Sequence, residues 1–319
     1  MLSSRRHWAL AFTAILCAAT TRAAPAQQPA QGFAVERLYL SAPGAGWFVM
    51  DALDMHGGLG GNLSMTLGYA SNPLHLSDGT QRLAVVAHQA VMDIGAAVTY
   101  DRWRLYINLA APLTIRGATG TFGDYSFTGP NVSLASHPDA LSDARVGVDV
   151  RIFGGPKSRF RLGAGAQLFI PNGNRADYDT DDTYRGMGRV LFAGDEGLFS
   201  YAGQLGVQIR ALDDSPTPGS PLGSELLFGV AAGAKLPVSR SLAVVLGPEI
   251  FGVTAFRSFF TSSGTSLEGL LTGRLEGTGD TGAQLRIKLG VGTGINRQFG
   301  APDWRVVLAF EVFTYNQKT

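Results

Sequence analysis

The sequence predicts an all-β fold, a transmembrane antiparallel β-barrel, and three observations carry this prediction. Residues 103–116 alternate between apolar and polar side chains, which gives one strand an apolar face and a polar face. This run exceeds the ~5–6 residues of an average globular strand and fits a tilted strand across a bilayer. Charged residues make up only 16% of the chain, against about 25% in soluble domains. Outside the N-terminus, no apolar run approaches the ~20 residues of a spanning helix. Since only helices and closed barrels span a bilayer, the sequence favours a closed barrel.

The first 26 residues have the pattern of a secretory signal peptide. Arg5 and Arg6 precede an apolar run over residues 8–19, and Ala24-Pro25-Ala26 offers a cleavage site between small residues. The single cysteine, Cys17, falls inside this segment. We therefore expect export, an outer-membrane location, and a mature chain without disulfides or thiolate metal sites.

Residues 27–60 do not show the strand pattern. They contain the apolar run Trp47-Phe48-Val49-Met50 and the glycine-rich stretch from Gly57 to Gly61. We interpret them as an N-terminal leader or periplasmic stub. A lumen plug and an extra pair of strands are the alternatives.

The barrel is predicted over residues 61–319. Short turns and longer loops alternate from residue 101 onward, as in outer-membrane barrels with short periplasmic turns and longer extracellular loops. A change of phase near Val85-Val86 predicts a bulge. The count is about 12 strands, or 14 if residues 33–55 form a hairpin. The predicted strands are Asn62–Leu76, Leu83–Tyr100, Trp103–Arg116, Asp143–Phe153, Arg159–Ile170, Tyr184–Phe192, Phe199–Arg210, Glu225–Leu236, Leu242–Phe256, Leu267–Glu276, Gln284–Thr293 and Trp304–Phe313.

The inward face carries many charged residues, and basic ones outnumber acidic ones. An arginine-rich wall favours anions through charge and bidentate contacts, which predicts a weakly anion-preferring pore or passive transporter for small solutes. If these charges instead pair across strands and fill the lumen, the barrel is a plugged structural or adhesive one with ligand-binding loops. The predicted pore-lining residues are Arg104, Arg145, Asp149, Arg151, Arg161, Arg185, Arg189, Arg210, Glu249, Arg286 and Lys288.

Other chemistry has less support in the sequence. The loop carboxylates Asp177, Asp179, Asp181 and Asp182 form a candidate calcium site, but the loop lacks the spacing of an EF-hand, and we favour a solvated acidic loop. His137 lies beside Ser136 in a loop, without a pattern that indicates a nucleophile and its base. We expect no catalytic residues, no enzyme activity and no cofactor.

The predicted partners are outer-membrane lipid and small-molecule solutes. Lys and Arg total 26 against 25 Asp and Glu, and this balance argues against a nucleic-acid partner. The oligomeric state is left open.

Three short motifs carry a resemblance to a known family. They are Gly68-Tyr69-Ala70 with Pro73-Leu74, the loop Gly173-Asn174-Arg175-Ala176-Asp177-Tyr178, and Gly300-Ala301-Pro302-Asp303-Trp304-Arg305. On these motifs the chain resembles the N-terminal outer-membrane barrel of bacterial OmpA-family proteins. That barrel is similar in turn to the outer-membrane family named for the MetA pathway of phenol degradation. The resemblance implies a channel or transporter. We expect the peptidoglycan-binding domain of the OmpA-family proteins to be absent here, so the resemblance does not imply anchoring to the cell wall.

Overall fold

A computed structural model describes residues 27–156, 158–212, 215–239, 242–277 and 282–315. The predicted signal peptide lies outside the described residues. No helix in the described part of the chain is long and apolar enough to cross a membrane.

Twelve antiparallel strands close into one barrel, which confirms the predicted fold class and strand count. Each strand pairs with the next along the chain, and β1 pairs with β12 to close the sheet. A closed sheet leaves no edge with unpaired backbone groups, as a spanning structure in lipid requires. The strands are β1 (Leu59–Ser77), β2 (Arg82–Tyr100), β3 (Trp103–Arg116), β4 (Ala144–Phe153), β5 (Arg161–Ile170), β6 (Arg185–Glu196), β7 (Phe199–Ile209), β8 (Glu225–Ser239), β9 (Leu242–Ala255), β10 (Thr265–Gly277), β11 (Gly282–Asn296) and β12 (Trp304–Tyr315).

The two ends of the barrel differ in the length of their connections. At one end, which we call the short-turn end, connections such as residues 101–102 and 197–198 are tight. At the other, the long-loop end, β3 and β4 are joined by residues 117–143. This loop contains the short strands Gly120–Phe122, Tyr125–Phe127 and Asn131–Ser133, and Gln28–Pro29 pairs with the second of them. Asn131–Ser133 extends the pairing of β3.

Apolar side chains cover the outer face of the barrel. Leu105 on β3 is 60% exposed, Leu205 on β7 54% and Leu289 on β11 51%, so the apolar surface continues around the barrel. Soluble monomers rarely expose an apolar surface of this extent, and a lipid-facing band is typical of membrane barrels. Tyr100 and Trp103 are exposed near the short-turn end, and Trp304 is exposed at the long-loop end, as expected for interfacial aromatic residues.

Two bulges change which face a side chain takes. The predicted bulge in β2 is confirmed, because Val85 and Val86 are both buried and the register with β1 shifts there. A second bulge in β3 was missed. Ala90 pairs with Thr114 while Val91 pairs with Pro112, so one extra residue reverses the alternation. Ile115, which the alternation places outward, is fully buried for this reason.

Candidate functional site

Residues 27–58, which we call the inner segment, run from the outer loops through the barrel lumen. At the long-loop end the backbone N–H of Gln31 donates to the carbonyl of Pro216 at 2.9 Å, and that of Val35 donates to the carbonyl of Tyr178 at 3.0 Å. At the short-turn end the N–H of Asp101 donates to the carbonyl of Gly58 at 3.1 Å. The inner segment therefore runs the length of the lumen before it enters β1.

This path corrects the prediction that residues 27–60 form a periplasmic stub. Trp47, Phe48 and Met50 are buried within an apolar cluster that includes lumen-facing side chains of β6 to β10 and β12. The lumen wall there carries small residues, Ala193 and Ala231 among them, that leave room for the large side chains of the inner segment. Burying this apolar surface in the lumen is more favourable than leaving it exposed to water, which explains why the segment lies inside the barrel.

Glu249 of β9 holds the middle of the inner segment. Its carboxylate accepts hydrogen bonds from the backbone N–H groups of Phe48 and Val49, both at 2.9 Å, and of Met50 at 3.4 Å. The hydroxyl of Thr272 donates to the same group at 2.7 Å. Glu249 is fully buried, so these charge-assisted bonds replace the water that the carboxylate has lost.

Carboxylates of the inner segment pair with arginines of the wall at the short-turn end. Asp51 lies 2.6 Å from Arg104, and Asp54 lies 3.3 Å from the same guanidinium and 3.4 Å from that of Arg286. Arg151 donates to the carbonyl oxygens of the inner segment at residues 53 and 55, at 3.0 and 2.5 Å.

Similar pairs hold the inner segment at the long-loop end. Glu36 lies 2.8 Å from Arg305. Arg37 lies 3.0 Å from Glu225, which also accepts from Arg210 at 2.8 Å. These pairs replace part of the hydration that the buried charges have lost.

The three motifs behind the family resemblance meet at this end. The rings of Tyr69 and Trp304 are 4.9 Å apart, and the N–H of Gly300 donates to the carbonyl of Pro73 at 2.9 Å. From the second motif, Arg175 donates to the carbonyl of Gly32 at 2.7 Å. The motifs thus form the collar through which the inner segment enters the lumen.

All predicted pore-lining residues lie on the lumen face and are buried. Several pair within the wall: Arg189 with Asp149 at 2.9 Å, and Lys288 with Glu311 at 2.7 Å. Other wall arginines pair with Glu36, Asp51 and Asp54 of the inner segment. These carboxylates offset part of the excess of basic residues from which anion preference is predicted. The predicted pore-lining residues that the structure places on the lumen face are Arg104, Arg145, Asp149, Arg151, Arg161, Arg185, Arg189, Arg210, Glu249, Arg286 and Lys288.

The candidate calcium site is not supported. Asp177, Asp179, Asp181 and Asp182 do not converge, and the described residues contain no group of three or more His, Cys, Asp or Glu side chains placed to hold a metal. Asp181 turns inward and lies 2.7 Å from Arg210. Burial opposes ionisation of Asp181, but Arg210 and Arg185 outweigh it and lower its pKa to about 2. The local charge is therefore satisfied by long-range contacts that the loop sequence does not reveal.

Asp179 has the opposite environment. Burial raises its pKa to about 7, against which a hydrogen bond from the backbone of Asn174 acts only in part. The nearby carboxylates Asp177 and Asp143 contribute to this raised value. Asp179 therefore changes its charge near neutral pH.

A cavity remains beside the inner segment. It has a volume of about 130 Å³ and lies between residues 34–40 and the wall, toward the long-loop end. Asp93, Asp143, Arg145 and Arg185 face it.

The sequence matches no protein-family model and no curated protein sequence. The structure is similar in fold to an outer-membrane channel from Pseudomonas putida F1, with 13% identity and a TM-score of 0.53, over 81% of this chain and 95% of that one. The NanC porin superposes with 8% identity and a TM-score of 0.46, over 80% of this chain and 100% of that one. The translocator domain of the autotransporter NalP from Neisseria meningitidis superposes with 10% identity and a TM-score of 0.43, over 81% of this chain and 88% of that one.

The likeness to the Pseudomonas putida F1 channel shows an outer-membrane barrel fold. The more specific relation to the OmpA family and to the MetA-pathway family has no matching family model behind it and stays a prediction.

Proposed function

We propose that the protein is an outer-membrane barrel that forms a pore for small solutes and whose inner segment sets the width of that pore. The observation that carries this proposal is that the twelve strands close without any strand from the inner segment. Hydrogen bonds, ion pairs and apolar contacts hold the segment in place, and its C-terminal end continues into the wall at β1. A displacement of the segment therefore opens a charged channel and leaves the sheet intact.

The exposed apolar band supports a location in the outer membrane, and the polar lumen supports passage of solutes in water. Weak anion preference belongs to this proposal as well. The wall carries the basic excess, and Asp51 and Asp54 of the inner segment neutralise part of it. Anion preference should therefore be small when the segment is docked and larger when it moves.

The second candidate is a plugged structural or adhesive barrel. The filling of the lumen by the inner segment favours it, as does the pairing of Gln28–Pro29 with an outer loop strand.

Single-channel recording on the refolded full chain in a planar bilayer separates the two candidates. The pore predicts discrete conductance steps, with a reversal potential across a salt gradient that indicates a slight preference for anions. Refolded protein that inserts and remains silent over the full voltage range would support the plugged barrel. A heat-denatured sample serves as the control for leakage.

A further inference from the structure

The lumen cavity has the size and lining of a small-molecule site. Its volume of about 130 Å³ gives room for roughly ten water molecules, at ~10–15 Å³ each. Leu38 and Leu40 of the inner segment and Phe169 and Val307 of the wall line it with apolar surface, and a few polar groups converge on it. Predominantly apolar walls with a few placed polar groups are typical of ligand sites.

Arg145 and Asp93 face this cavity without a direct ion pair, although they are close enough to interact electrostatically with each other; Asp179 of the outer loop also lines the cavity without an ion pair among the described residues. Arg145 is 5% exposed and forms no ion pair among the described residues. One of its terminal nitrogens donates to the carbonyl of Leu40, and the other, Nη2, is buried without a partner. Asp93 likewise has no ion pair in the described part of the chain, and it accepts one hydrogen bond, from Asn108 at 2.6 Å. Most other charges of the lumen wall are paired, so this combination needs an explanation.

The two charges are held apart by a fixed spacer. Asn108 of β3 is the cross-strand neighbour of Arg145 on β4 and donates to Asp93 on β2. Three adjacent strands therefore present a guanidinium, an amide and a carboxylate in a row. A molecule that carries an anionic and a cationic group on neighbouring atoms can satisfy both ends of this row.

We propose that the cavity binds a zwitterionic amino acid with an apolar side chain. Its carboxylate pairs with Arg145, its ammonium group pairs with Asp93, and its side chain packs against Leu38, Phe169 and Val307. The unpartnered oxygens of Gln89 and Asp143 provide further acceptors for the ammonium group. This inference rests on the proposed function, since it names a solute class for the pore.

A ligand with a single charge fits this arrangement less well. A simple carboxylate would pair with Arg145 but would also displace water from Asp93. The carboxylate of Asp93 would then be buried without a partner, and this desolvation costs free energy. A simple amine would do the same to Arg145. Both the attraction of the zwitterion and the rejection of its singly charged analogues follow from the same pair of residues.

The test is isothermal titration of the refolded full chain in detergent with L-leucine, 4-methylpentanoate and 3-methylbutylamine. These three molecules share the branched apolar body and differ in their charged groups. We expect saturable binding of leucine and at least about tenfold weaker binding of each analogue, since a charge-assisted hydrogen bond is lost. Equal affinity for leucine and either analogue, or no saturable binding of leucine, overturns the proposal.

Substitutions locate the site. Arg145→Gln and Asp93→Asn should each weaken leucine binding by at least about tenfold. Arg151→Gln is the matched control: it removes another buried lumen arginine that binds only backbone carbonyls of the inner segment, at the opposite end of the lumen. An equal loss in the control would assign the effect to the inner segment in general and overturn the site. If a variant does not fold, the analogue series on the wild-type chain still decides.

The binding result is independent of conduction. Leucine binding by a barrel that is silent in the bilayer would retain the site and overturn the pore. Conductance steps without leucine binding would retain the pore and overturn the site.

Discussion

Glu249 gives the sharpest perturbation of the inner segment. Its carboxylate accepts three backbone N–H groups of the segment and the hydroxyl of Thr272, and it is fully buried. In Glu249→Gln the single amide oxygen can keep about two of these bonds, and the new NH₂ group points toward other donors. Each buried N–H left without a partner costs about 1–3 kcal/mol.

Loss of two such bonds shifts the docking of the inner segment by about 2–6 kcal/mol. Even the lower value raises the undocked fraction about 30-fold, at ~1.4 kcal/mol per factor of ten. Arg37 reports this change, because it is the only Lys or Arg in the inner segment and is buried when the segment is docked. We expect trypsin to cleave after Arg37 about 30-fold faster or more in Glu249→Gln, in proportion to the undocked fraction.

The matched control is Asp149→Asn, which also removes a buried lumen carboxylate. Asp149 bonds to Arg189 of the wall, so its loss destabilises the barrel without releasing the inner segment. Equal cleavage of wild type and Glu249→Gln would refute the role of this anchor. A similar acceleration in Asp149→Asn would refute its specificity.

Three further predictions follow from the lipid face, the outer loop and the charge of the lumen. Leu109→Arg, on the outer face of β3 and six residues from the interfacial Trp103, should cost about 2–4 kcal/mol and impair folding into lipid vesicles. Heat-modifiable migration follows the folding, and Asp124→Arg in the exposed loop should fold normally. Asp179 has a raised pKa in the folded chain, so the stability that its neutral form provides is present below about pH 4 and is lost as pH rises through about 7. Asp179→Asn should remove this loss of stability, which amounts to up to about 4 kcal/mol at pH 8. The apparent melting temperature of the variant should therefore not fall between pH 4 and 8. A melting temperature of the wild-type chain that does not depend on pH would contradict the prediction. Asp51→Asn combined with Asp54→Asn should shift the reversal potential toward anions, and an unchanged potential would show that these carboxylates do not set selectivity.

The barrel itself could be predicted from the sequence because its strands obey a two-residue period. Leu105 and Arg104 take opposite faces for this reason, and the same rule placed Glu249 and Arg189 in the lumen. The rule fails where one residue is inserted, as before Ile115. A bulge of this kind depends on the partner strand, which the local pattern does not contain.

The inner segment could not be located in the same way, because it has no regular period and its position depends on the shape of the lumen. One signal was present. Ala193, Ala231 and Ala309 are small apolar residues on a face that also carries many charges, and they indicate that an apolar body lies inside. The excess of inward basic residues was a second signal, since buried arginines need acidic partners from another part of the chain.

The acidic loop shows the same limit at the level of a single site. Asp179 and Asp181 are two residues apart, yet one has a raised pKa and the other a lowered one. The difference comes from Arg210 and Arg185, which lie beside Asp181 in the folded chain. Spacing along the loop therefore could not distinguish a cation site from an ion pair.

The most direct test of the central claim is the single-channel conductance of the full chain compared with that of a variant that lacks residues 27–56. The strands of the barrel are unchanged in this variant, and both proteins are first shown to be folded by heat-modifiable migration. If the inner segment sets the width and charge of the pore, the deletion gives larger conductance steps and a reversal potential shifted toward anions. Equal conductance and equal selectivity in the two folded proteins would contradict this account.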